Sequence, residues 1–120
     1  MKKPVKLSNG VYVINCMPHK IVFEDGTEVE PSGYLLLADF EEEVIQEKEH
    51  VKICKMKPVP TVGGKIELKK LKQQYPEAII LGSAISAMAY RPDVKMPMSA
   101  RQRGGRDKVF RIDKFTVYDF

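Results

Sequence analysis

An α+β domain is what this sequence predicts: a mostly antiparallel sheet with one or two short helices packed on one face. Three observations carry that expectation. Short β-branched and aromatic runs are separated by turn dipeptides. One stretch places Leu68, Leu71 and Tyr75 three and four residues apart, the spacing of a helical stripe. A serine, Ser83, precedes an alanine-rich segment containing Ala84, Ala87 and Ala89, as at the capped start of a helix.

Along the chain, residues 11–14 read as a strand, and residues 15–18 interrupt it at Pro18. Residues 19–23 form a second strand. Asp25 and Gly26 supply the turn of a hairpin, with residues 27–30 returning. Pro31, Ser32 and Gly33 form a further turn. Residues 34–38 are an apolar run of buried-strand length. Residues 44–47 and 51–56 read as two strands about a charged turn, because Val51 and Ile53 alternate with lysines.

Pro58, Pro60, Gly63 and Gly64 mark a loop. Residues 66–75 then form a helix that leaves Lys65, Lys69, Lys70, Lys72 and Gln73 to solvent and stops at Pro76. Residues 78–81 read as a buried strand and residues 84–90 as a short helix. Residues 96–105 lack periodicity and read as a long loop, which in a small domain is usually functional or mobile. Residues 108–112 and 115–118 close the chain as a hairpin about Asp113 and Lys114.

A chain of 120 residues fits one domain, residues 1–120, with one core. Its apolar and charged fractions, 43% and 30%, are those of a folded protein rather than a disordered one. No apolar run reaches membrane-span length, and no apolar segment follows Met1, Lys2 and Lys3 as in a signal peptide. A cytoplasmic, non-membrane protein is expected. The two cysteines, Cys16 and Cys54, suit reduced thiols better than a disulfide framework.

Charge is unevenly spread. Residues 24–49 hold ten acids against one base, and residues 91–114 hold eight bases against three acids. Such asymmetry suits an anionic ligand, a nucleic acid, or a homo-oligomer joined through opposite charges. Two solvated faces of opposite sign explain it equally well.

Four constellations bear on chemistry. Cys16, His19, His50 and Cys54 offer a permitted zinc donor set, in an order that matches no standard finger; two core thiols and two unrelated histidines are the plainer account. Gly63, Gly64 and Lys65, and likewise Gly82 and Ser83, precede predicted helices where backbone N–H groups favour anions. Neither is a Walker loop. Arg101, Arg103 and Arg106, with Arg111 beyond them, form a basic segment suited to phosphate or nucleic acid. His19, after Pro18 at a strand break, is the one catalytic candidate, as a general acid or base. Ser32, Ser83 and Ser86 lie in no nucleophile elbow.

Taken together, Asn15, Pro18 and His19 resemble the N-terminal Asn-Leu-Thr-Pro-His motif of a family of small uncharacterised proteins from bacteriophages and prokaryotes. The later Pro31, Ser32 and Gly33 are similar to that family's Pro-Ser-Gly turn. Ser83, Ala84, Ala87, Ala89, Arg91, Asp93 and Pro97 are similar to its serine, alanine-rich helix and Arg-x-Asp segment. Arg106 and Asp107 match a late Arg-Asp pair, although here Gly105 precedes it. Cys16 and Met17 stand where the motif has leucine and threonine, so this chain has no threonine hydroxyl there. The resemblance implies a phage or mobile-element setting. It also implies one pocket built from Asn15, His19, Ser32, Ser83, Arg91 and Asp93.

The expected function is non-enzymatic binding of a small anionic, nucleotide-like molecule, with no cofactor, in a setting that suits sequestering a host signal. One alternative is an enzyme that processes a nucleotide or phosphoester through His19. The other is a nucleic-acid accessory protein using the basic segment.

Overall fold

The computed structural model describes residues 1–100 and 108–119. Its elements are β1 Val5–Lys6, β2 Tyr12–Asn15, β3 Ile21–Val22, β4 Glu28–Val29, β5 Ala38–Lys48, β6 Val51–Pro60, α1 Val62–Gln74, β7 Ile79–Leu81, α2 Ala84–Ala89, β8 Val94–Ser99 and β9 Phe110–Thr116. The fold is α+β, with strands in mainly antiparallel pairs and two helices.

The central sheet runs in the order β1-β2-β7-β8-β9. Its outer pairs, β1/β2 and β8/β9, are antiparallel, but its middle is parallel: Val13 opposes Ile79, and Ile80 opposes Val94. Parallel neighbours need a crossover, and α2 is the crossover between β7 and β8. β7, and Val13 and Ile14 of β2, are apolar on both sides because both faces are covered. Ile14, Ile80 and Val94 face the helices and pack with Leu71, Ala87 and Tyr90. Val13 and Leu81 face the other way and pack with Leu7, Ile21, Phe23 and Val29 under the β3–β4 hairpin. The helices therefore lie on one face, as expected, and a small hairpin closes the other.

That hairpin turns at Asp25 and Gly26, and Gly26 takes a φ of 87°. The Asp25 carboxylate accepts from the backbone N–H of Ser8 and Thr27, both at 2.9 Å. Those bonds, Ser8 first, hold its carboxyl below the ordinary carboxylate range.

Between the hairpin and α1 the chain makes an arm. β5 and β6 pair antiparallel from Ala38/Pro60 out to Lys48/Val51, with one irregularity between Val44 and Gln46. Glu49, in the tight turn at the tip, has a φ of 33°. At roughly 3.3 Å per residue the arm reaches on the order of 33 Å. It raises the radius of gyration to 16.5 Å, against about 14 Å for a compact chain of this length. Both strands are longer than the sequence pattern suggests. Pro58 and Pro60 lie inside β6, where a two-stranded ribbon leaves an outer edge that needs no N–H donor.

The arm is tied down at its root. The Tyr90 hydroxyl donates to the Leu37 carbonyl and accepts from the Thr61 N–H at 3.3 Å. Ser86 Oγ donates to the Leu36 carbonyl at 2.8 Å. Thr61 also caps α1, its hydroxyl accepting from Gly64 N at 2.9 Å. Gly63 and Gly64 are thus in the first turn of α1, not in a loop before it. Gly64 is there for space: a Cβ on it would lie 1.6 Å from the Tyr90 hydroxyl oxygen.

Two further expectations are corrected. Residues 96–99, expected to open a long loop, belong to β8. Pro97 is admissible because β7 pairs only as far as Lys95, so β8 has a free edge beyond it. The expected terminal hairpin is one strand, β9, running through Asp113 and Lys114. Arg111 and Asp113, two apart on one face, meet in a fork of two 2.9 Å bonds, so the charged pair reinforces the strand instead of turning it. Residues 34–37 also lack regular pairing, although Tyr34 and Leu36 are buried and Leu35 and Leu37 exposed.

Tyr90→Phe tests the root. It strands the Thr61 N–H and leaves the Leu37 carbonyl only the longer bond from the Thr61 hydroxyl, at 3.4 Å, at a cost of about 1–3 kcal/mol. Hydrogen exchange is expected to quicken at Thr61 and along β6 first, with the amides of β2 and β7 unaffected under native conditions.

Candidate ligand-binding cleft

Asn15 sits at the end of β2, 1% exposed. Its amide nitrogen donates to the carbonyls of His19 at 2.8 Å and Val29 at 3.0 Å, and its oxygen accepts from Met17 N at 2.8 Å. Ser32 N donates to the Asn15 carbonyl at 2.8 Å. Ser32 Oγ in turn accepts from Tyr34 N at 3.2 Å. Asn15, the backbone of His19, and Ser32 therefore converge as a buried turn-fastener. Their polar groups are bonded to one another and to the chain. Asn15→Ala deletes three hydrogen bonds at a site closed to water. It is expected to cost on the order of 3 kcal/mol, read as a lowered thermal midpoint.

The His19 ring itself is exposed, and its Nδ1 lies 3.4 Å from the Lys20 carbonyl. A general base needs an orienting group and a reacting partner. Among the described residues, the partner of this ring is that backbone oxygen.

Ser83, Arg91 and Asp93 surround α2 instead. Ser83 caps the helix through Ser86 N at 3.2 Å. Gly82 is pressed between β8 and the helix, where a Cβ would lie 2.8 Å from Val94 Cγ1. With Ser86 bonded to Leu36, the anion seat expected at Gly82 and Ser83 is filled by the chain's own residues. Arg91 donates to the Met88 carbonyl at 3.0 Å, closing the end of α2. Asp93 pairs with Lys72 at 3.0 Å. The six residues thus fall into two groups with separate structural duties, and no cleft described below is lined by more than one of them.

The zinc set is dispersed. His50 is at the arm's tip and Cys54 halfway along it, while Cys16 is in the core. Among the described residues, no three His, Cys, Asp or Glu side chains form a group able to hold a metal. Burial, above all, pushes the Cys16 thiol up to about 11. Cys54 is more accessible, and its thiol donates to Glu42 at 3.2 Å, which raises its pKa. Iodoacetamide at neutral pH is therefore expected to label Cys54 well before Cys16, as read by peptide mass. Arg101, Arg103 and Arg106 lie outside the described residues. Arg111 is partly neutralised by its fork with Asp113.

Two of the surface depressions among the described residues lie on the body of the fold, and sequence reasoning missed both. The first holds about 390 Å³ between the chain's first residues, the start of β2 and the turn after α1. Tyr12 and Tyr75 supply rings, Lys3 a cation, Gln74 an amide and Glu77 a carboxylate. Lys6 stands 5.9 Å above the Tyr12 ring centre, in cation–π range. The cleft lies at the N-terminal ends of β2 and β7. In open parallel sheets ligands usually gather at the C-terminal ends, but here residues 34–37 and α2 crowd that side. The second depression, about 380 Å³, runs along α1 between Lys65, Lys69, Lys72 and Asp93. The alternation of Tyr12 outward from the buried Val13, and the Tyr75–Pro76 stop to α1, were visible in sequence. That they meet was not.

Comparison of the chain with protein-family models, with curated proteins and with solved structures returns no match. Among the described residues, no helix is long and apolar enough to cross a membrane.

Proposed function

We propose that this protein is a non-enzymatic binder of a small, anionic, ring-bearing molecule of the nucleotide class, seated in the Tyr12–Tyr75 cleft. The observation that carries the reading is the pairing of two tyrosine rings with Lys3 around one opening, with Lys6 over the Tyr12 ring. Its volume, about 390 Å³, falls in the range of small-ligand pockets, which starts near about 300 Å³. Aromatic faces stack on a base, ammonium groups meet a phosphate, and the Glu77 carboxylate can accept from an exocyclic amine. The exposed, unsupported His19 ring favours binding over turnover. The phage-like resemblance of the Asn15–His19 turn adds a setting, sequestration of a host signal in the host cytoplasm.

Equilibrium dialysis against a panel of mono-, di- and cyclic nucleotides tests this. One class is retained intact, without conversion to product. Tyr12→Ala is expected to weaken it by roughly 1–3 kcal/mol, the worth of one stacked base, and Lys3→Ala to weaken it and flatten its salt dependence. Retention of no nucleotide, or affinity indifferent to Tyr12, sinks the reading.

A second reading, nucleic-acid binding, draws on the row Lys65, Lys69 and Lys72. It requires an affinity that falls steeply with salt.

A further inference from the structure

Two polar side chains of opposite character line the Tyr12–Tyr75 cleft beside its rings. Gln74 is the last residue of α1, and Glu77 follows after Tyr75 and Pro76. The turn between them is held: Ala78 N donates to the Tyr75 carbonyl at 3.1 Å, and Pro76 has its φ fixed by its ring. A glutamine amide can donate or accept, and its neighbours decide which end is left for a ligand. Here the hydroxyl of the buried Tyr34 donates to Gln74 Oε1 at 3.4 Å. The amide oxygen is thus engaged, and the NH₂ group is left as a donor. The Glu77 carboxylate offers acceptors only. Among the described residues, the ion pairs join Lys20 to Glu28, Lys72 to Asp93 and Arg111 to Asp113, so none of them occupies it.

A donor and a carboxylate on one short, stiff turn discriminate between bases. Guanine presents an acceptor, O6, and beside it two adjacent donors, the ring N1–H and the exocyclic 2-amine. A carboxylate takes two adjacent donors as a fork, the way it takes an arginine. Adenine and cytosine set one amine next to a bare ring nitrogen, so the second carboxylate oxygen meets a lone pair. Uracil sets its ring N–H between two carbonyls, with the same repulsion. Enzymes that hold a free base read it by hydrogen bonds to this edge, with the base stacked between aromatic or apolar side chains.

We propose, on the footing of the nucleotide reading above, that this cleft selects guanine among the nucleobases. Glu77 accepts from N1–H and the 2-amine, and Gln74 donates to O6. Tyr12 and Tyr75 supply the stacking faces, and Lys3 meets the phosphate. Tyr34 is a positioning residue: it touches no base, and it sets which end of the Gln74 amide is free.

Titration calorimetry of the full chain with guanosine, inosine, adenosine and uridine monophosphates tests this. Inosine differs from guanosine only by lacking the 2-amine, which leaves one Glu77 oxygen without its donor. Guanosine monophosphate is expected to bind roughly tenfold more tightly than inosine monophosphate, with the adenosine and uridine forms weaker still. Glu77→Gln sets an NH₂ against the base's own donors, and is expected to remove most of the guanosine-over-inosine preference while leaving adenosine binding undiminished. Gln74→Leu is expected to weaken guanosine and inosine alike, since both carry O6, and to leave their ratio unchanged. Both side chains are exposed in a turn, so circular dichroism is expected to stay the same. Nucleotides bound with no preference for guanine, or a preference that survives Glu77→Gln, overturn this proposal and leave the nucleotide reading standing. Binding of none of the four overturns both.

Discussion

One tyrosine hydroxyl joins the two halves of this structure. Tyr90 ends α2 inside the helix-side core, yet its oxygen is shared between Leu37 and Thr61, at the two ends of the arm's root. Both backbone groups lie where a ribbon leaves a folded body, and neither has a strand partner there. An unsatisfied peptide group in such a place is costly. The single hydroxyl satisfies a carbonyl and an N–H together, and so fixes how the arm departs. It also dictates Gly64, since a larger residue in the first turn of α1 has no room beside that oxygen.

The same constraint reshapes the site. The segment 34–37 is drawn against α2 by Ser86 and Tyr90, and it covers the end of the sheet where Gly82 and Ser83 open a helix. An anion seat there would need backbone groups that the chain itself occupies. The accessible cleft therefore lies at the opposite end, where Lys3 and Pro4, the start of β2 and the Tyr75–Pro76 turn leave a gap. Asn15 is engaged in a similar way. A buried amide with three backbone partners holds a turn together, and its side chain has little capacity for anything else.

Charge is organised at a coarser scale. The acidic stretch noted in the sequence is divided between a small hairpin and one strand of the arm, and the described part of the basic stretch between the turn after α2, β8 and residues 108–114. The arm thus has an acidic strand and a lysine-bearing one, while α1 shows a lysine row to solvent. Local pairs such as Lys20 with Glu28 are exposed and contribute little to stability. Their arrangement over the surface matters more, because it sets the field that an approaching molecule meets.

The sequence by itself determined the local structure wherever a side chain's own chemistry decides. Asp25 and Gly26 make a turn, Ser83 caps a helix, the Leu68, Leu71 and Tyr75 stripe makes another, and alternating Val51 and Ile53 make a strand. It misjudged Gly63, Gly64, Pro58, Pro60 and Pro97, because each reads as a breaker until its neighbours are known. A packed hydroxyl makes Gly64 necessary, and unpaired edges make the prolines harmless. The resemblance around Asn15 and His19 pointed to one pocket, but those residues were engaged separately. The parallel middle of the sheet, the meeting of Tyr12 with Tyr75, and the face the arm presents depend on contacts between residues far apart in the chain. No local pattern encodes such contacts; only tertiary packing decides them.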